Sequence, residues 1–324
     1  MVYKVIGIGS ALLDFTIKAD ESMLEKVGLR KGQMHLIDSK KSKEILGLFG
    51  EDKVKITAGG SAANTLAGIA CLGGNSLFIG KIGNDENGRI YEQKTKENGV
   101  ETKLGKTDNI LTGHAITFIT PDSERTFATN LGAALFFNKE DVDEQKLKEC
   151  KILHIEGYQL EDSSLKEASI FAIRLAKANG AKISIDLSDS ALVLRNLEEF
   201  KKIVGKYADI VFANEKEAEA FTGKKEEDAL NIISEMCETA IVKLGDKGSL
   251  IKSNGVVYKI PINEVKVVNT NGAGDAYAAG ILYSIANDID MARAGRIAAY
   301  ISSQVVASEG ARLDRSLKED VKRL

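Results

Sequence analysis

The chain has 324 residues, 44% of them hydrophobic and 28% charged, with 44 basic and 47 acidic residues giving a formal net charge of -3. This length suits two domains or one large α/β domain with an insertion, and the composition is that of an ordinary globular protein. The balanced charge, without a dense Lys/Arg block, argues against a nucleic-acid or anionic-membrane surface.

The three cysteines, Cys71, Cys150 and Cys237, lie far apart and form no CxxC pair. This pattern predicts neither a disulfide framework nor a zinc site, and it fits reduced thiols in the cytoplasm. The apolar N-terminal stretch is interrupted by Asp14, which favours a core strand over a signal peptide. The sequence has no run of about 18 apolar residues, so we expect no membrane span.

Strand-like and helical segments alternate along most of the chain. Predicted strands cover 2–9, 76–83, 151–158, 181–188, 208–215 and 239–245, and predicted helices cover 61–73, 87–99 and 275–286. Strands that alternate with helices are parallel strands joined by crossover helices, so we expect a doubly wound, mostly parallel α/β sheet. Such sheets bind ligands at the carboxyl ends of their strands.

Residues 15–40 and 107–130 depart from this rhythm and show β-like alternation with turn residues, as in TGHAITFITPDSERTFAT. They predict a small second sheet, a β lid over the site. The remaining segments, 1–14, 41–106 and 131–324, are assigned to an α/β nucleotide-binding domain.

The stretch NTNGAGDAYAAG at 269–280 joins a glycine turn to an apolar helix. Because Gly272 and Gly274 lack side chains, backbone N–H groups can turn towards a ligand, and the start of the helix favours an anion. Asp275 at that start could accept a proton from an attacking hydroxyl while the amides stabilise a phosphoryl group in transfer. Taken alone, the motif more often marks a helix capped by an aspartate after a glycine turn.

The segment AGGSAANTLAGIACLGG at 58–74 opens a helix with Gly59 and Gly60, and Asn64 falls one turn inside it. The asparagine amide both donates and accepts hydrogen bonds, which suits sugar hydroxyls. A structural glycine loop followed by a polar helix residue is an equally good interpretation of this segment alone.

The segment FANEKEAEAF at 212–221 follows an apolar strand, so Asn214 and Glu217 should lie at the carboxyl edge of the sheet. Three residues apart, they share a helical face and could hold a hydrated Mg²⁺. The alternative is an N-capped helix with Glu in its first turn.

The segment VKLGDKGSL at 242–250 places the pattern LGxxG after a strand. This pattern is typical of a glycine turn under a nucleotide, but a plain hairpin gives the same pattern.

Other motifs are incomplete. GKT at 105–107 lacks the P-loop glycine, because Val100 stands in its place. GIGSAL at 7–12 resembles the dinucleotide-binding GxGxxG, but Leu12 replaces its third small residue and no acidic residue follows at the required spacing. An NAD-dependent oxidoreductase is therefore a remote alternative.

The four motifs occur in the order AGGSAAN, NEKE, LGDKG and NTNGAGD. In this order, from about residue 4 to residue 312, the chain resembles the ribokinase (PfkB) family of sugar and nucleoside kinases. The resemblance implies a ribokinase-like α/β fold with a small β lid, ATP as phosphoryl donor, and Mg²⁺.

The resemblance also implies roles for single residues. Asp275 would be the catalytic base, and Asn271, Gly272, Ala273 and Gly274 would form the anion hole beside the nucleotide. Asn214 and Glu217 would position Mg²⁺ and phosphate. The residues expected near the nucleotide are Lys243, Gly245 and Gly248, and those expected to bind acceptor hydroxyls are Asp14, Gly59, Gly60 and Asn64.

Several stretches are more similar to adenosine kinases than to ribokinases: LLD at 12–14, LTGHAITFITPDSERTFATNLGAA at 111–134, and TNGAGDA. By this similarity Arg125 would approach the phosphates, and Gln33 in LRKGQM would contact the base. The predicted walls of a purine pocket are Leu12, Leu131, Tyr158 and Gln159, and Ser10 is also expected to bind the substrate. We therefore expect ATP-dependent phosphorylation of the primary 5′-hydroxyl of a nucleoside, adenosine to AMP.

The chain departs from the family pattern at several positions. Asn269 stands where the last motif usually begins with Asp, in a region that helps bind a monovalent cation, so K⁺ dependence stays open. Ser10 replaces an asparagine common in animal adenosine kinases, and Tyr158 and Gln159 replace two phenylalanines.

A kinase for ribose, fructose or a related acid is the main alternative. A non-catalytic nucleoside-binding protein would gain nothing from Asp275. A monomer and a homodimer are both compatible with the sequence.

Overall fold

The computed structural model describes residues 3–50, 53–122 and 124–324. The other positions, 1–2, 51–52 and 123, fall within the predicted segments 1–14, 41–106 and 107–130, and position 2 also begins the first predicted strand.

Strands and helices alternate as the apolar pattern predicts. The strands are β1 (Val5–Ile8), β2 (Leu12–Lys18), β3 (Met34–Leu36), β4 (Lys55–Ala58), β5 (Ser76–Gly83), β6 (Glu101–Thr107), β7 (Thr112–Ile119), β8 (Arg125–Gly132), β9 (Ile152–Glu156), β10 (Lys182–Asp186), β11 (Ile210–Asn214), β12 (Thr239–Lys243), β13 (Ser249–Ser253) and β14 (Val256–Ile260). The helices are α1 (Glu21–Val27), α2 (Ser39–Leu46), α3 (Ser61–Cys71), α4 (Glu86–Glu97), α5 (Glu144–Leu147), α6 (Ser163–Ala178), α7 (Ser190–Arg195), α8 (Leu197–Tyr207), α9 (Glu215–Thr222), α10 (Glu226–Ser234), α11 (Ala273–Ala286) and α12 (Met291–Val306).

The larger sheet, within the described residues, has nine strands in the order β14-β13-β12-β11-β10-β9-β1-β5-β6. It is parallel from β12 to β6, and the hairpin strands β13 and β14 continue it antiparallel at one edge. All residues of β1, β5 and β9 are buried, because helices cover both faces of a sheet of this kind. The expected mostly parallel α/β fold is confirmed.

The chain changes direction across this sheet next to β1. It first moves outward from β1 to β5 and β6, and later returns to β9 on the other side of β1. Open α/β sheets bind ligands in the crevice at such a switch point, outside the carboxyl ends of the strands. Ser10 follows β1 and Glu156 ends β9, so both lie at that crevice.

A second sheet has the order β3-β8-β7-β2-β4 in the described residues. It contains strands from both segments predicted to form the β lid, at 15–18, 34–36, 112–119 and 125–130, but Glu21–Val27 in the first segment is helix α1 rather than β structure. The sheet also takes β4, the first residues of β2 and the end of β8. From the sequence, all three of these parts are assigned to the large domain. Strand β4 is not identified there because a four-residue strand is too short to show a clear alternation. Residue 107, at the other boundary, ends β6 in the larger sheet.

Two buried apolar clusters fill the spaces between the layers. One packs α3, α11 and α12 together with the second sheet, and the other packs α6, α8, α9 and α10 against the opposite side of the larger sheet. Among the helices of the described residues, none combines the length and the apolar character that a membrane span needs.

Candidate active site

A cavity of about 1380 Å³ lies where the carboxyl ends of the parallel strands, the start of α11 and the second sheet meet. Pockets for one small ligand have volumes of roughly 300 to 1,000 Å³. This cavity is therefore large enough for two small substrates side by side, as a group transfer requires.

The start of α11 forms one end of the cavity. Gly272 caps the helix with φ 78°, and a Cβ there would lie 2.7 Å from the carbonyl oxygen of Ala311. Only glycine meets both conditions without strain. The first N–H groups of a helix have no acceptor within it, and within the cavity-lining turn 271–274 those of Asn271 and Ala273 donate to Asn269 and Thr270. The anion site is therefore offered by the N–H groups of Gly272 and Gly274.

Asp275 lies in the first turn of this helix and is held by two residues of α3. Its Oδ1 accepts a hydrogen bond from Ser61 Oγ at 2.7 Å, and its Oδ2 accepts one from Asn64 Nδ2 at 2.9 Å. Burial raises the pKa of Asp275, and the two hydrogen bonds oppose that rise. A buried carboxylate with a raised pKa is a stronger base than an exposed one.

Lys243 brings a positive charge to the same place. Its Nζ donates to Asp186 Oδ2 at 3.0 Å, and it lies 3.2 Å from where a Cβ on Gly274 would be. Burial lowers the pKa of Lys243, but the carboxylates of Asp186 and Glu217 outweigh it and hold the pKa above its usual range. The ammonium group is therefore charged beside the glycine turn, where it can stabilise negative charge.

Asn214 and Glu217 form a reciprocal cap at the start of α9. Asn214 N donates to Glu217 Oε2 at 2.7 Å, and Glu217 N donates to Asn214 Oδ1 at 2.9 Å. The structure therefore has the N-capped helix that was the alternative interpretation of this segment, and both side chains also line the cavity. Burial raises the pKa of Glu217 to about 7, with the Asp186 carboxylate adding to the rise.

The LGxxG segment is a hairpin turn between β12 and β13, as its alternative interpretation predicted. Gly245 has φ 59° and Gly248 has φ 88°, and a Cβ on Gly248 would lie 2.1 Å from the carbonyl oxygen of Ile260. Both glycines line the cavity, so the turn is available to a nucleotide as well.

Asp14 lies on β2 in the cavity lining, above a pair of glycines and close enough to Asp275 for the two charges to interact. A Cβ on Gly59 would lie 2.5 Å from Asp14 Oδ2, and a Cβ on Gly60, which has φ 91°, would lie 2.2 Å from the Ser10 carbonyl oxygen. The glycines thus let the backbone approach these two residues closely. Burial raises the pKa of Asp14 to about 6, although the Arg312 guanidinium opposes the rise.

Apolar side chains form a wall beside Asp14. Leu12 lies two positions before it on the same face of β2. Gly113 on β7 leaves room for this wall, since a Cβ there would lie 2.5 Å from Leu12 Cδ2. The other apolar side chains from this side of the cavity are Met34, Leu36, Phe127, Leu131, Ala134, Leu135 and Tyr158.

Four predicted site residues do not line the cavity: Gln33, Gly59, Arg125 and Gln159. Gln33 is exposed, and Gly59 lies beneath Asp14. Gln159 is 1% exposed and donates to Ser10 Oγ at 3.0 Å, so it supports the floor at Ser10. Arg125 is half-buried at the start of β8, and the Asp14 carboxylate raises the Arg125 pKa against the larger effect of burial.

Ser61, Glu156, Asp186 and Arg312 are among the residues that contact the site but were not singled out from the sequence. Glu156 is 1% exposed and accepts hydrogen bonds from the backbone N–H groups of Ser10 at 2.8 Å and Ala62 at 2.9 Å, which ties the end of β1 to the start of α3. Glu156 and Asp186 both end apolar strands, and this signal could have identified them.

Asn269 is held by backbone groups. Its Nδ2 donates to the Glu309 carbonyl oxygen at 2.5 Å, and its Oδ1 accepts from Asn271 N at 2.6 Å. The amide therefore connects the glycine turn to the segment after α12, and the donation to Glu309 requires the amide that this chain has in place of aspartate.

Known proteins share this sequence pattern and this fold. The sequence model of the pfkB family of carbohydrate kinases matches residues 38–318. An adenosine kinase of Saccharomyces cerevisiae is 28% identical over 313 residues, which cover 90% of this chain and 91% of that protein. A 5-dehydro-2-deoxygluconokinase of Clostridium perfringens is 30% identical over 278 residues, 82% of each chain.

The crystal structure of adenosine kinase from Sinorhizobium meliloti has a TM-score of 0.92 to this structure at 32% identity, covering 100% of this chain and 99% of that one. The family model spans most of the chain, and the alignments cover most of the length of the relatives. Together these two findings establish the class of the protein. The chain belongs to the PfkB family of carbohydrate kinases and is a phosphotransferase with an alcohol group as acceptor.

Proposed function

We propose that this kinase transfers the γ-phosphoryl group of ATP to the primary 5′-hydroxyl of a nucleoside, converting adenosine to AMP. The observation that carries the proposal is the apolar wall beside Asp14. A purine base is flat and can pack against Leu12, Leu131 and Phe127, whereas a free sugar would leave them without an apolar partner. Asp14 is then assigned to the ribose hydroxyls.

The proposed reaction takes place between Asp14 on β2 and the start of α11. The 5′-hydroxyl oxygen attacks the γ-phosphorus, the bond to the β-phosphate oxygen breaks, and ADP leaves. Asp275 accepts the hydroxyl proton, and the N–H groups at the start of α11 and the Lys243 ammonium stabilise the charge on the phosphoryl group. The short distance between Lys243 and Gly274 supports assigning Lys243 to the phosphates.

A magnesium ion fits this site only as a hydrated ion. The described part of the chain has no group of three or more His, Cys, Asp or Glu side chains that could hold a metal directly. Glu217 and Asp186 offer carboxylate oxygens on the cavity wall, and Mg²⁺ commonly keeps several waters and binds through substrate phosphates. We assign Asn214 and Glu217 to those waters. When bound, the ion would neutralise charge on the nucleotide phosphates.

Arg125 can approach the phosphates, as the resemblance implies, only if the second sheet moves towards the glycine turn. In this structure the charge that favours its protonated form is Asp14 rather than a group at the glycine turn. We propose that closure of the second sheet over both substrates brings Arg125 to the phosphates and excludes water.

A sugar kinase is the second candidate, because a 5-dehydro-2-deoxygluconokinase is also among the relatives. Such an acceptor needs several polar groups around the ring. Ser10 and Glu156 line the cavity near its floor, but Gln159 does not. Backbone N–H groups already occupy the Glu156 carboxylate, so beyond Asp14, which is assigned to ribose hydroxyls, the floor adds little to bind a free sugar.

The test is a coupled ADP-release assay with Mg-ATP. Adenosine, inosine, cytidine, ribose and fructose are compared, each with and without potassium because Asn269 departs from the family pattern. Phosphorus NMR then identifies which hydroxyl of the product carries the phosphate. We expect turnover of adenosine to a 5′-monophosphate. Turnover of a free sugar alone would overturn the acceptor assignment and leave the kinase assignment intact.

A further inference from the structure

Arg312 lies in the segment that follows α12, and its guanidinium reaches Asn64 and Gly59 at the start of α3. Nε donates to Asn64 Oδ1 at 2.8 Å, and Nη2 donates to the Gly59 carbonyl oxygen at 2.8 Å. Nη1 donates to Asn98 Oδ1 at 3.2 Å and lies 3.4 Å from Thr95 Oγ1, at the end of α4. The side chain therefore ties the glycine pair and the first turn of α3 to the end of α4.

The guanidinium fixes the orientation of the Asn64 amide. Arginine has donors only, so the amide oxygen must face Arg312. The amide nitrogen then points the other way, where it donates to Asp275 Oδ2 at 2.9 Å. With the amide reversed, its oxygen would face the Asp275 carboxylate, and two acceptors would meet.

A second contact links Arg312 to Asp14 through Gly59. Gly59 lies against Asp14, so a guanidinium that holds the Gly59 carbonyl also fixes the surface on which the Asp14 carboxylate rests. The charge of Arg312 acts on both carboxylates as well, because it faces Asp14 and Asp275 across the same cluster.

We propose that Arg312 is a positioning residue for phosphoryl transfer, which orients Asn64 towards Asp275 and holds Gly59 beneath Asp14. This inference rests on the proposed role of Asp275 as the base. It goes beyond that role in assigning a function to a residue that does not line the cavity. The competing explanation is that Arg312 only ties the segment after α12 to α3 and α4.

The first experiment is a double-mutant cycle with Arg312→Gln, Asn64→Ala and the double variant. We expect Arg312→Gln to lower kcat/KM on the order of 100-fold, because small displacements of positioned groups have effects of this size. If Arg312 acts partly through Asn64 and partly through Gly59, the double variant loses less than the product of the two single losses. Fully additive losses, or a folded Arg312→Gln enzyme with normal kcat/KM, would overturn the proposal.

The second readout is the pH profile of kcat/KM. Loss of the oriented Asn64 donor makes Asp275 harder to ionise, so the acidic limb moves to higher pH in Arg312→Gln. The titratable and charged groups that act on Asp275 from the surrounding elements are Asp14, Glu156, Tyr158, Asp186, Lys243 and Arg312. Arg312→Gln also removes a charge that acts on Asp275, so the deciding variant is Arg312→Lys, which keeps the charge. A purely structural tie would leave the limb in place in Arg312→Lys, which is the contrary result.

Arg315→Gln is the matched control. Arg315 lies three residues further on, is 54% exposed, and bonds to Asp320 and Gln304 rather than to the site. We expect it to keep the activity and pH profile of the parent enzyme. Arg312→Lys keeps the charge without the planar fork, so we expect partial loss, and full activity would overturn the orientation argument.

The parent enzyme separates the two proposals. If it phosphorylates none of the acceptors, the proposed function fails. If it phosphorylates any acceptor while the folded Arg312 variants match it in kcat/KM and pH profile, only the positioning role fails. Circular dichroism and thermal denaturation of each variant establish that it is folded before its rate is interpreted.

Discussion

The substitution Gly59→Ala tests whether Asp14 binds the acceptor, because Gly59 lies against the Asp14 carboxylate. The new Cβ would lie 2.5 Å from Asp14 Oδ2, about 0.9 Å short of the 3.4 Å at which ordinary van der Waals contact begins. Gly59 does not have a positive φ, so alanine adds this clash without backbone strain. The Asp14 carboxylate has to move by most of that distance.

A shift of this size has a calculable effect on catalysis. Misplacing a positioning group by roughly 1 Å costs on the order of 100-fold in rate, about 2.7 kcal/mol of transition-state stabilisation. Losing a hydrogen bond to a charged group gives a similar figure, roughly 1.5 to 3 kcal/mol. We therefore expect kcat/KM for adenosine to fall about 100-fold. Overpacking should also lower the free energy of unfolding by about 1 to 3 kcal/mol.

The assay is ADP release with adenosine at saturating Mg-ATP, together with urea unfolding of the same preparation. Gly205→Ala is the matched control, because Gly205 is an exposed residue of α8 whose added Cβ meets only the flexible Met236 Cε at 3.2 Å. The control should keep its activity and gain about 0.5 to 1 kcal/mol of stability. A folded Gly59→Ala enzyme with unchanged kcat/KM would refute the assignment of Asp14 to the acceptor.

Three further predictions concern the charged groups. Asp275→Asn should lower kcat by orders of magnitude while acceptor affinity, measured by calorimetry, changes little, since the amide cannot accept the proton; normal turnover would remove the base role. Lys243→Met should lower kcat on the order of 100-fold in the same assay, because it removes the positive charge beside the glycine turn; an unchanged kcat would place the phosphates elsewhere. Asp14→Asn should stabilise the protein by about 1 to 3 kcal/mol at pH 7.5, because burial raises the pKa of Asp14 to about 6 and the charged form is disfavoured in the fold. In the parent protein, the folded state holds the Asp14 proton more tightly than the unfolded state does. The protonated carboxyl group therefore stabilises the fold fully below the unfolded pKa near 3.8, and this stabilisation is lost as pH rises through about 6. Urea unfolding at pH 7.5 and pH 4 should show the gain only at the higher pH, and an equal gain at both would contradict the burial argument.

Patterns along the chain predicted the fold because they are local. The apolar runs at 76–83 and 239–245 became strands of the larger sheet, and the glycine turn at 272–274 led into a helix that carries Asp275. Periodicity and glycine positions report directly on backbone conformation, so these features needed no tertiary information. The four-residue strand β4 was missed because so short a segment carries no period.

The polar network of the site depends on contacts that no local pattern records. Glu156 and Asp186 end apolar strands and could have been found by the rule that identified Asn214. Arg312 could not, because it meets Asn64 from 248 positions away and no motif surrounds it. The resemblance implied site roles for Gln159 and Arg125, but neither residue is part of the cavity lining in the structure.

The specificity ratio between adenosine and ribose tests the nucleoside assignment most directly. Both acceptors present a primary hydroxyl, so they differ mainly in the base that the wall of Leu12, Phe127 and Leu131 would cover. Burying one face of a purine, on the order of 100 Å² at about 25 cal/mol per Å², adds roughly 2.5 kcal/mol, or nearly 100-fold in kcat/KM. The account predicts that adenosine exceeds ribose by at least this factor. Equal values of kcat/KM, or a preference for ribose, would contradict it.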